Sequence, residues 1–519
     1  MLDKGGTPAD AAVAAQMVLG LVEPQSSGLG GGTFVMNWDA GSAKLTAYDG
    51  LVSAPSQVTA SLRTDTDGKL LPSEPSQRGG RTVGVPGTLA VLATLHARYG
   101  RLSWRELFEP AIELAENGFA MSPYLHGILV QPDAAKDHPD MQSLYFDAQG
   151  KALPVGATVR NPALARTLRR IATGGPSALL DGDGAQAIVE SAQRGFRPTL
   201  LTAQDLREHR PAEREPVCAP FLAFRVCTMP PSSFGGIIVL QVLQMVEARA
   251  AGHFDFGDPS FVHLYAEAGQ LAQADRRKYV GDPDFVKVPT AALADSAYVR
   301  ARARLIDPDR AASNVQAGTP AGSLAALTPD AGDPQTATSQ IAIVDRAGNA
   351  ISVTTTINLN FGSRLMADGF VLNNALTNFS AAPKPGETIA NQMAPRKRAV
   401  SSMAPTIVFD LEGRPVVVGG SAGGGPIVDY IASSLIDMLA NGRTPAQALA
   451  RGHVTTAAAG KVQLEKGTPA AALAPALAAM GHQVEQVPLL SGLGFLKRTP
   501  EGWIGAADPR RDGTAQGSD

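Results

Sequence analysis

The sequence predicts an α/β fold, on three observations. Helix-period segments fill most of the first 280 residues, and short strands are threaded between them. A hairpin of clear period two then opens the last third, with SQIAIVD, the turn RAGN and AISVTTTIN. At 519 residues, 44% of them hydrophobic and 18% charged, the chain can bury a large core as two or three domains or as one large α/β unit.

The elements follow in order. The opening MLDKGG reads as the end of one helix with a turn at Gly5-Gly6, so residues upstream are expected to be missing and Met1 to be an internal methionine. Residues 7–22 form a helix with Pro8 and Asp10 in its first turn. SSGLGGGTFVMNWDA is a glycine-rich turn feeding a strand at 33–38, with a second strand at 44–49. Helices follow at 87–99, after Pro86-Gly87, and at 103–117, closed by Gly118. Further helices lie at 160–173, 183–194 and 203–209. A hairpin at 216–228 leads through MPPSSFGG to a buried helix at 236–250 and another helix at 258–278. Residues 306–337 are poor in large apolar side chains and rich in Pro, Gly, Asp and Ala, which predicts a mobile linker; loops of that length are often functional or cleaved. Beyond the period-two hairpin come strands at 370–373, 405–410 and 415–419, helices at 426–440 and about 445–451, and a closing αβ portion at 469–480 and 483–486. Residues 508–519 are expected to be disordered.

Composition excludes several roles. The net charge of −3 and the lack of a basic stripe argue against nucleic acid as a partner. No stretch is long and apolar enough to span a bilayer. Cys218 and Cys227 flank APFLAFRV, a strand–turn–strand pattern, and fit either a cross-strand disulfide in an oxidising compartment or two half-buried thiols. Neither sits in a CxxC pair or beside a histidine, so no metal or other cofactor is implied.

The junction between Ala337 and Thr338 carries the chemistry. A linker ends there and a threonine stands at the head of a strand. A threonine hydroxyl needs a base to become a nucleophile. Breaking the peptide bond before it creates an α-amine of pKa about 8 beside its own hydroxyl, poised to take the proton. The same pattern also fits a plain edge-strand threonine after a loop.

TSQIAIVDRAGNAISVTTTIN resembles the start of the small subunit of γ-glutamyltransferases, self-cleaving N-terminal-nucleophile hydrolases. Its VD-x-x-GNA-x-SVT register puts the nucleophile at Thr338 rather than Thr336 or Ser339. GGTPADAAVAAQ, EPQSSGLGGGTF, VGVPGTLAVL, EPAIELAENGF, MPPSSFGG, ADRRKYVGDPDFV, FGS, GFVLNN, SSMAPTIV and GGSAGGGP resemble further family blocks in family order, over nearly the whole chain. The resemblance implies a four-layer αββα sandwich built from a large subunit, 1–337, and a small subunit, 338–519, that stay together as a heterodimer. It implies Thr338 as nucleophile and Thr356 as its hydrogen-bonding partner in self-cleavage. Gly423 and Gly424 would be backbone donors to the oxyanion, and Asn358, Ser401, Ser402 and the position of Asn378 contacts to the substrate head group. The substrate implied is a small γ-glutamyl amide such as glutathione, hydrolysed or transferred to an amino acid or peptide. Family habit and the cysteine pair together imply the periplasm or the exterior, with the cytoplasm as the alternative if Met1 is the true start.

Two positions depart from the family pattern. DGRETAP is replaced by DGLVSAP, with Leu51 where an arginine clamps the substrate carboxylate, and the aspartate of LNN-x-MDDF is Asn378 in LNNALTNF. Leucine cannot replace a bidentate guanidinium. Both anchors of an amino-acid head are therefore weakened, leaving Asn358, Ser401, Ser402 and Arg364, or else a glutaryl-type acyl donor without a zwitterionic head. Two other readings remain: a serine hydrolase, since Gly419-Gly420-Ser421-Ala422-Gly423 fits GxSxG with His453 and His482 downstream, and an unprocessed, non-catalytic member of the family.

Overall fold

Two stacked antiparallel sheets with helices on their outer faces organise the chain. The computed structural model describes all residues except 60–70, 72–76, 132–138, 195–196, 325–326, 331–336, 381–385, 458–459 and 518–519. We number the strands of the two large sheets: β1 (Gly32–Asp39), β2 (Lys44–Gly50), β3 (Ala212–Arg214), β4 (Val217–Phe221), β5 (Phe224–Thr228), β6 (Ser339–Val344), β7 (Ala350–Thr356), β8 (Thr406–Phe409), β9 (Pro415–Ala422), β10 (Gly492–Thr499) and β11 (Gly502–Ala507). The first sheet runs β3-β2-β1-β7-β6 and the second β11-β10-β9-β8-β5-β4. The covering helices are α1 (Pro8–Val22), α2 (Thr88–Tyr99), α3 (Glu109–Asn117), α4 (Pro162–Gly174), α5 (Gly235–Arg249), α6 (Pro259–Tyr279), α7 (Ser296–Ala303) and α8 (Ile427–Leu439).

Side-chain alternation along the strands produces the layers. On β1, Phe34, Met36 and Trp38 enter one core with Ile407, Phe409 and Val418 of the second sheet and with α5 and α8. The Trp38 and Phe409 rings meet edge-on at 4.9 Å. Val35 of β1 points the other way and joins Ile351 and Val353 of β7 under α1, α2 and α3. The order is thus helix, sheet, sheet, helix, as expected.

Strand β7 sits between β1 and β6, with Val353 opposite both Val35 and Ile341. The sheet therefore joins strands from both sides of the 337/338 junction. Across the layers, Ser352 Oγ donates to Gly419 O at 2.8 Å. The Gln340 side chain fills the space a Cβ on Gly420 would need, at 2.6 Å. Strand β6, and with it Thr338, is thereby clamped onto β9.

Most helices fall where periodicity places them. Thr7 caps α1 in a reciprocal capping box with Asp10, which fixes its start. The helix expected over 103–117 is instead a 3₁₀ turn, Trp104–Leu107, followed by α3. Pro110 explains the break: inside a continuous helix its ring would clash with the preceding turn. Strand β9 runs three residues beyond the expected 419 and takes Ser421 into the sheet. Strands β10 and β11 and helix α7 were not expected. The Cys218–Cys227 disulfide closes the β4–β5 hairpin, where the two residues are direct cross-strand partners.

Two expectations of disorder are corrected in part. Residues 306–324 hold neither helix nor strand, yet they are pinned: Ala311 N donates to Met480 O at 2.8 Å, and Tyr279 donates its hydroxyl to Gly318 O at 2.6 Å. Of the rest of the predicted linker, 325–326 and 331–336 lie outside the described residues. In the tail, Asp508 is fully buried and residues 508–512 are docked by side-chain bonds.

Candidate active site

Thr338 is buried at the head of β6. Its Oγ1 donates to the carbonyl oxygen of Ala337 at 2.6 Å, so the hydroxyl is folded back on the peptide bond that precedes it. Thr356, the last residue of β7, donates its own hydroxyl to the same oxygen. Its Oγ1 lies 3.4 Å from Thr338 Oγ1. The Asn358 N–H in turn donates to Thr356 Oγ1 at 2.8 Å, which occupies a lone pair and leaves the Thr356 proton for Ala337. Two hydroxyls thus converge on one carbonyl oxygen.

Asn358 adopts φ 82°, the left-handed region that Asn tolerates better than most residues. Its Nδ2 donates to Asn374 Oδ1 at 3.1 Å and Thr377 Oγ1 at 2.9 Å. This ties the end of β7 to the LNNALTN segment, where Asn378 closes a 3₁₀ turn (Ala375–Asn378) and is half-buried.

Gly423 and Gly424 form the loop between β9 and α8, with φ of 125° and 71°. A Cβ on Gly423 would lie 2.7 Å from the Tyr430 ring, so both backbone and neighbour require glycine there. Ser402 Oγ donates to Gly424 O at 2.7 Å and fixes the loop. Ser401 accepts from Met403 N at 3.2 Å, and both serines are buried. Ser402 therefore supports the glycine loop directly, while Ser401 holds the backbone turn beside it.

Leu51 is 4% exposed and belongs to the same apolar core as Phe34 and Phe234. Two guanidiniums lie nearby but are committed. Arg398 Nε is 3.3 Å from Asp49 Oδ1 and its Nη2 donates to Arg210 O at 2.8 Å. Arg214 pairs bidentately with Asp284 at 2.6 Å. Burial pushes the Asp49 carboxyl up, with the charge of Arg398 opposing it. Neither arginine supplies a clamp equivalent to the one that Leu51 lacks. Arg364 has φ 63° in the turn after Gly362.

The serine-hydrolase constellation does not assemble. Ser421 is fully buried within β9, and its hydroxyl bonds Ala422 O. His453 Nε2 pairs instead with Ser491 Oγ at 2.7 Å, and His482 pairs with His263.

A family model described as gamma-glutamyltranspeptidase matches residues 1–518. The chain is 32% identical to the glutathione hydrolase proenzyme of Bacillus subtilis over 534 residues, covering all of this chain and 88% of that protein. The chain belongs to the gamma-glutamyltranspeptidase family. Acylase ACY 1 proenzyme of a Pseudomonas species is 33% identical, covering 98% of the chain and 89% of that protein. Among solved structures, the cephalosporin acylase of Bacillus halodurans superposes with a TM-score of 0.82 at 26% identity, covering 100% of this chain and 93% of the other. The family is thus one of enzymes that includes glutathione hydrolases and acylases, and the N-terminal-nucleophile hydrolase fold expected from the sequence is the fold found.

One residue of this gamma-glutamyltranspeptidase-family site escaped the sequence reading. Arg511, in the tail expected to be disordered, donates through Nη1 to Thr338 O at 2.8 Å. The same guanidinium donates to Ser491 O at 3.1 Å and Leu490 O at 3.3 Å and stacks 4.8 Å from the Tyr124 ring. Leu490 O in turn lies 3.3 Å from where a Gly423 Cβ would be. Arg511 thus ties the Thr338 carbonyl to residues 490–491 beside the glycine loop. The available signal was the paired Arg510-Arg511 at a chain end otherwise poor in anchors.

Proposed function

We propose that this chain is an autoprocessed amidohydrolase and acyltransferase that cleaves small γ-glutamyl amides such as glutathione through a Thr338 acyl-enzyme. The arrangement that carries the reading is the pair of hydroxyls, Thr338 and Thr356, on the Ala337 carbonyl. Maturation follows from it. Thr338 Oγ attacks the Ala337 carbonyl carbon while Thr356 donates to the developing oxyanion. The bond to the Thr338 nitrogen breaks, and the hydroxyl's proton passes to that nitrogen. Water then hydrolyses the ester, leaving Ala337 as a carboxylate and Thr338 with a free amine and a free hydroxyl. In turnover that amine takes the hydroxyl's proton, Thr338 Oγ attacks the substrate amide, the Gly423 and Gly424 N–H groups receive the oxyanion, the leaving amine departs with the proton, and water or an acceptor amine then releases the acyl group from Oγ. Asn358 and the segments of Ser401, Ser402 and Asn378 are assigned to the acyl head group. The products of maturation are a large subunit, 1–337, and a small subunit, 338–519, held together by the shared first sheet.

Proenzyme names among the relatives support processing, and the disulfide supports an oxidising compartment, periplasmic or exterior. Among the described residues no helix is long and apolar enough to cross a membrane.

A second reading, an acylase for donors without a zwitterionic head, is favoured by one observation: the arginine position is a leucine packed in an apolar core. N-terminal sequencing of the purified chains, with a screen of γ-glutamyl and glutaryl amides, tests both. A Thr338 N-terminus and γ-glutamyl turnover are expected; glutaryl turnover alone selects the acylase. The Thr338→Ala variant is expected to remain one chain, and its cleavage at 337/338 would refute the mechanism.

A further inference from the structure

Far along the chain from the nucleophile, three ligand-type side chains meet: His263, Glu267 and His482. Each presents one ligand atom, and these atoms all lie within 4.8 Å of one another. His263 and Glu267 are one turn apart on α6, so they share a face. Both are buried, at 1% and 4% exposure, and His482 is half-buried at the end of the turn after a short helix (Ala474–Ala479).

The surroundings are those of a built site. His263 Nε2 donates to the backbone oxygen of Asp307 at 2.7 Å. In the neutral ring that bond puts the lone pair on Nδ1, which lies 2.7 Å from His482 Nε2. A ring N–H held by a carbonyl, with the opposite nitrogen turned to a second donor, is the usual outer partner of a metal-bound histidine. Glu267 is oriented by the Ala312 N–H, which donates to its Oε2 at 3.1 Å. Two histidines and a carboxylate suit Zn²⁺, which takes such ligands at about 2.0–2.2 Å and keeps a fourth position for water. The His–His pair needs to open by roughly half an ångström to admit the ion, and His482 stands beside Gly481, where the chain turns (φ 96°).

We propose that His263, Glu267 and His482 bind one Zn²⁺. The site joins three stretches: α6, the pinned segment 307–312, and residue 482 on the far side of the Ala337–Thr338 bond. Its role as a staple between two chains rests on the maturation proposed above; the binding itself does not. An ion held there resists separation of the two chains and fixes the large-subunit segment that runs toward the cleavage junction.

The test uses tag-free, full-length protein stripped with chelator and titrated with Zn²⁺, or with Co²⁺ as a coloured probe. One equivalent is expected to bind, with the strong visible bands of four-coordinate Co²⁺, and the thermal midpoint is expected to rise with Zn²⁺ concentration. His482→Gln and Glu267→Gln are each expected to weaken binding at least 100-fold and to abolish the shift. The Thr338→Ala precursor is expected to bind as tightly as the mature enzyme, which separates this proposal from the reading of maturation. Absence of saturable binding in the unaltered protein, or equal affinity in a folded His482→Gln variant, overturns the site.

Discussion

Replacing Thr356 by valine keeps the side chain's shape and removes its hydroxyl, and with it two bonds. The first runs from Thr356 to the Ala337 oxygen. If that oxygen becomes the oxyanion of self-cleavage, losing one of its donors costs about 2.7–4 kcal/mol of transition-state stabilisation, or roughly 10²–10³ in rate. The second runs from the Asn358 N–H to Thr356 Oγ1 at 2.8 Å. In valine it has no acceptor, and a buried unpaired N–H costs about 1–3 kcal/mol of stability. The two effects separate in experiment. Precursor conversion is followed by denaturing electrophoresis after synthesis of the chain, and stability by urea unfolding of the matched Thr338→Ala background, which cannot convert. Thr356→Val is expected to slow conversion 100-fold or more and to lower stability modestly. Thr356→Ser, which keeps the hydroxyl, is expected to convert within about tenfold of the native rate. Conversion of the valine variant at the native rate would remove Thr356 from the mechanism and leave the Ala337 bond a packing detail.

Arg511→Ala removes three donors to carbonyl oxygens; bonds from a charged donor contribute about 1.5–3 kcal/mol each, so conversion and turnover are expected to fall at least tenfold, with Arg511→Lys between, and unchanged kinetics would reduce the contact to tail packing. Leu51→Arg alone is expected to lower the melting temperature, because it places an unpaired guanidinium in an apolar core. The 51–53 and 375–378 segments are neighbours, since a Cβ on Gly84 would touch Val52 and lie 2.9 Å from Leu376. Leu51→Arg combined with Asn378→Asp is therefore expected to raise γ-glutamyl over glutaryl kcat/KM at least tenfold, and no change would show that these positions do not line the acyl site. Asp429 is fully buried, and burial pushes its carboxyl up to about 7. Between the unfolded value near 3.8 and about 7 the unfolded chain ionises while the folded one keeps the proton, so this group makes stability fall as pH rises through that window, by at most about 1.4 kcal/mol per unit. Asp429→Asn is expected to flatten that component in urea titrations at pH 4.5 and 7.5, and an equal wild-type–variant gap at both would refute it.

The parts of the site that were legible are those written in local pattern. The β6–β7 hairpin announces itself by alternation and a GN turn, so Thr338 and Thr356 fall at strand ends that a reader can count to. The Cys218–Cys227 pairing is likewise local, because the hairpin makes the two residues opposite neighbours. What was not legible depends on distant packing. Strands β10 and β11 carry glycines, lysine and arginine on a partly exposed edge of the second sheet, which blurs their alternation. Ser421 fits a nucleophile motif by spelling alone; the extension of β9 past Gly419 turns it inward. Arg511 has no local signature, since the carbonyl it holds is 173 residues earlier in the chain.

That last contact sets an order of events. Residues 508–512 are held by bonds from the Leu493 N–H to Asp508, from Arg510 to Glu465, from Arg511 to the Thr338 oxygen and from the Tyr124 N–H to Asp512. A nascent polypeptide still threaded through the ribosome beyond Thr338 lacks the guanidinium that holds the Thr338 carbonyl. Under the maturation proposed above, cleavage waits for residues 508–512 to dock, so a chain cut off before Arg511 is expected to remain whole.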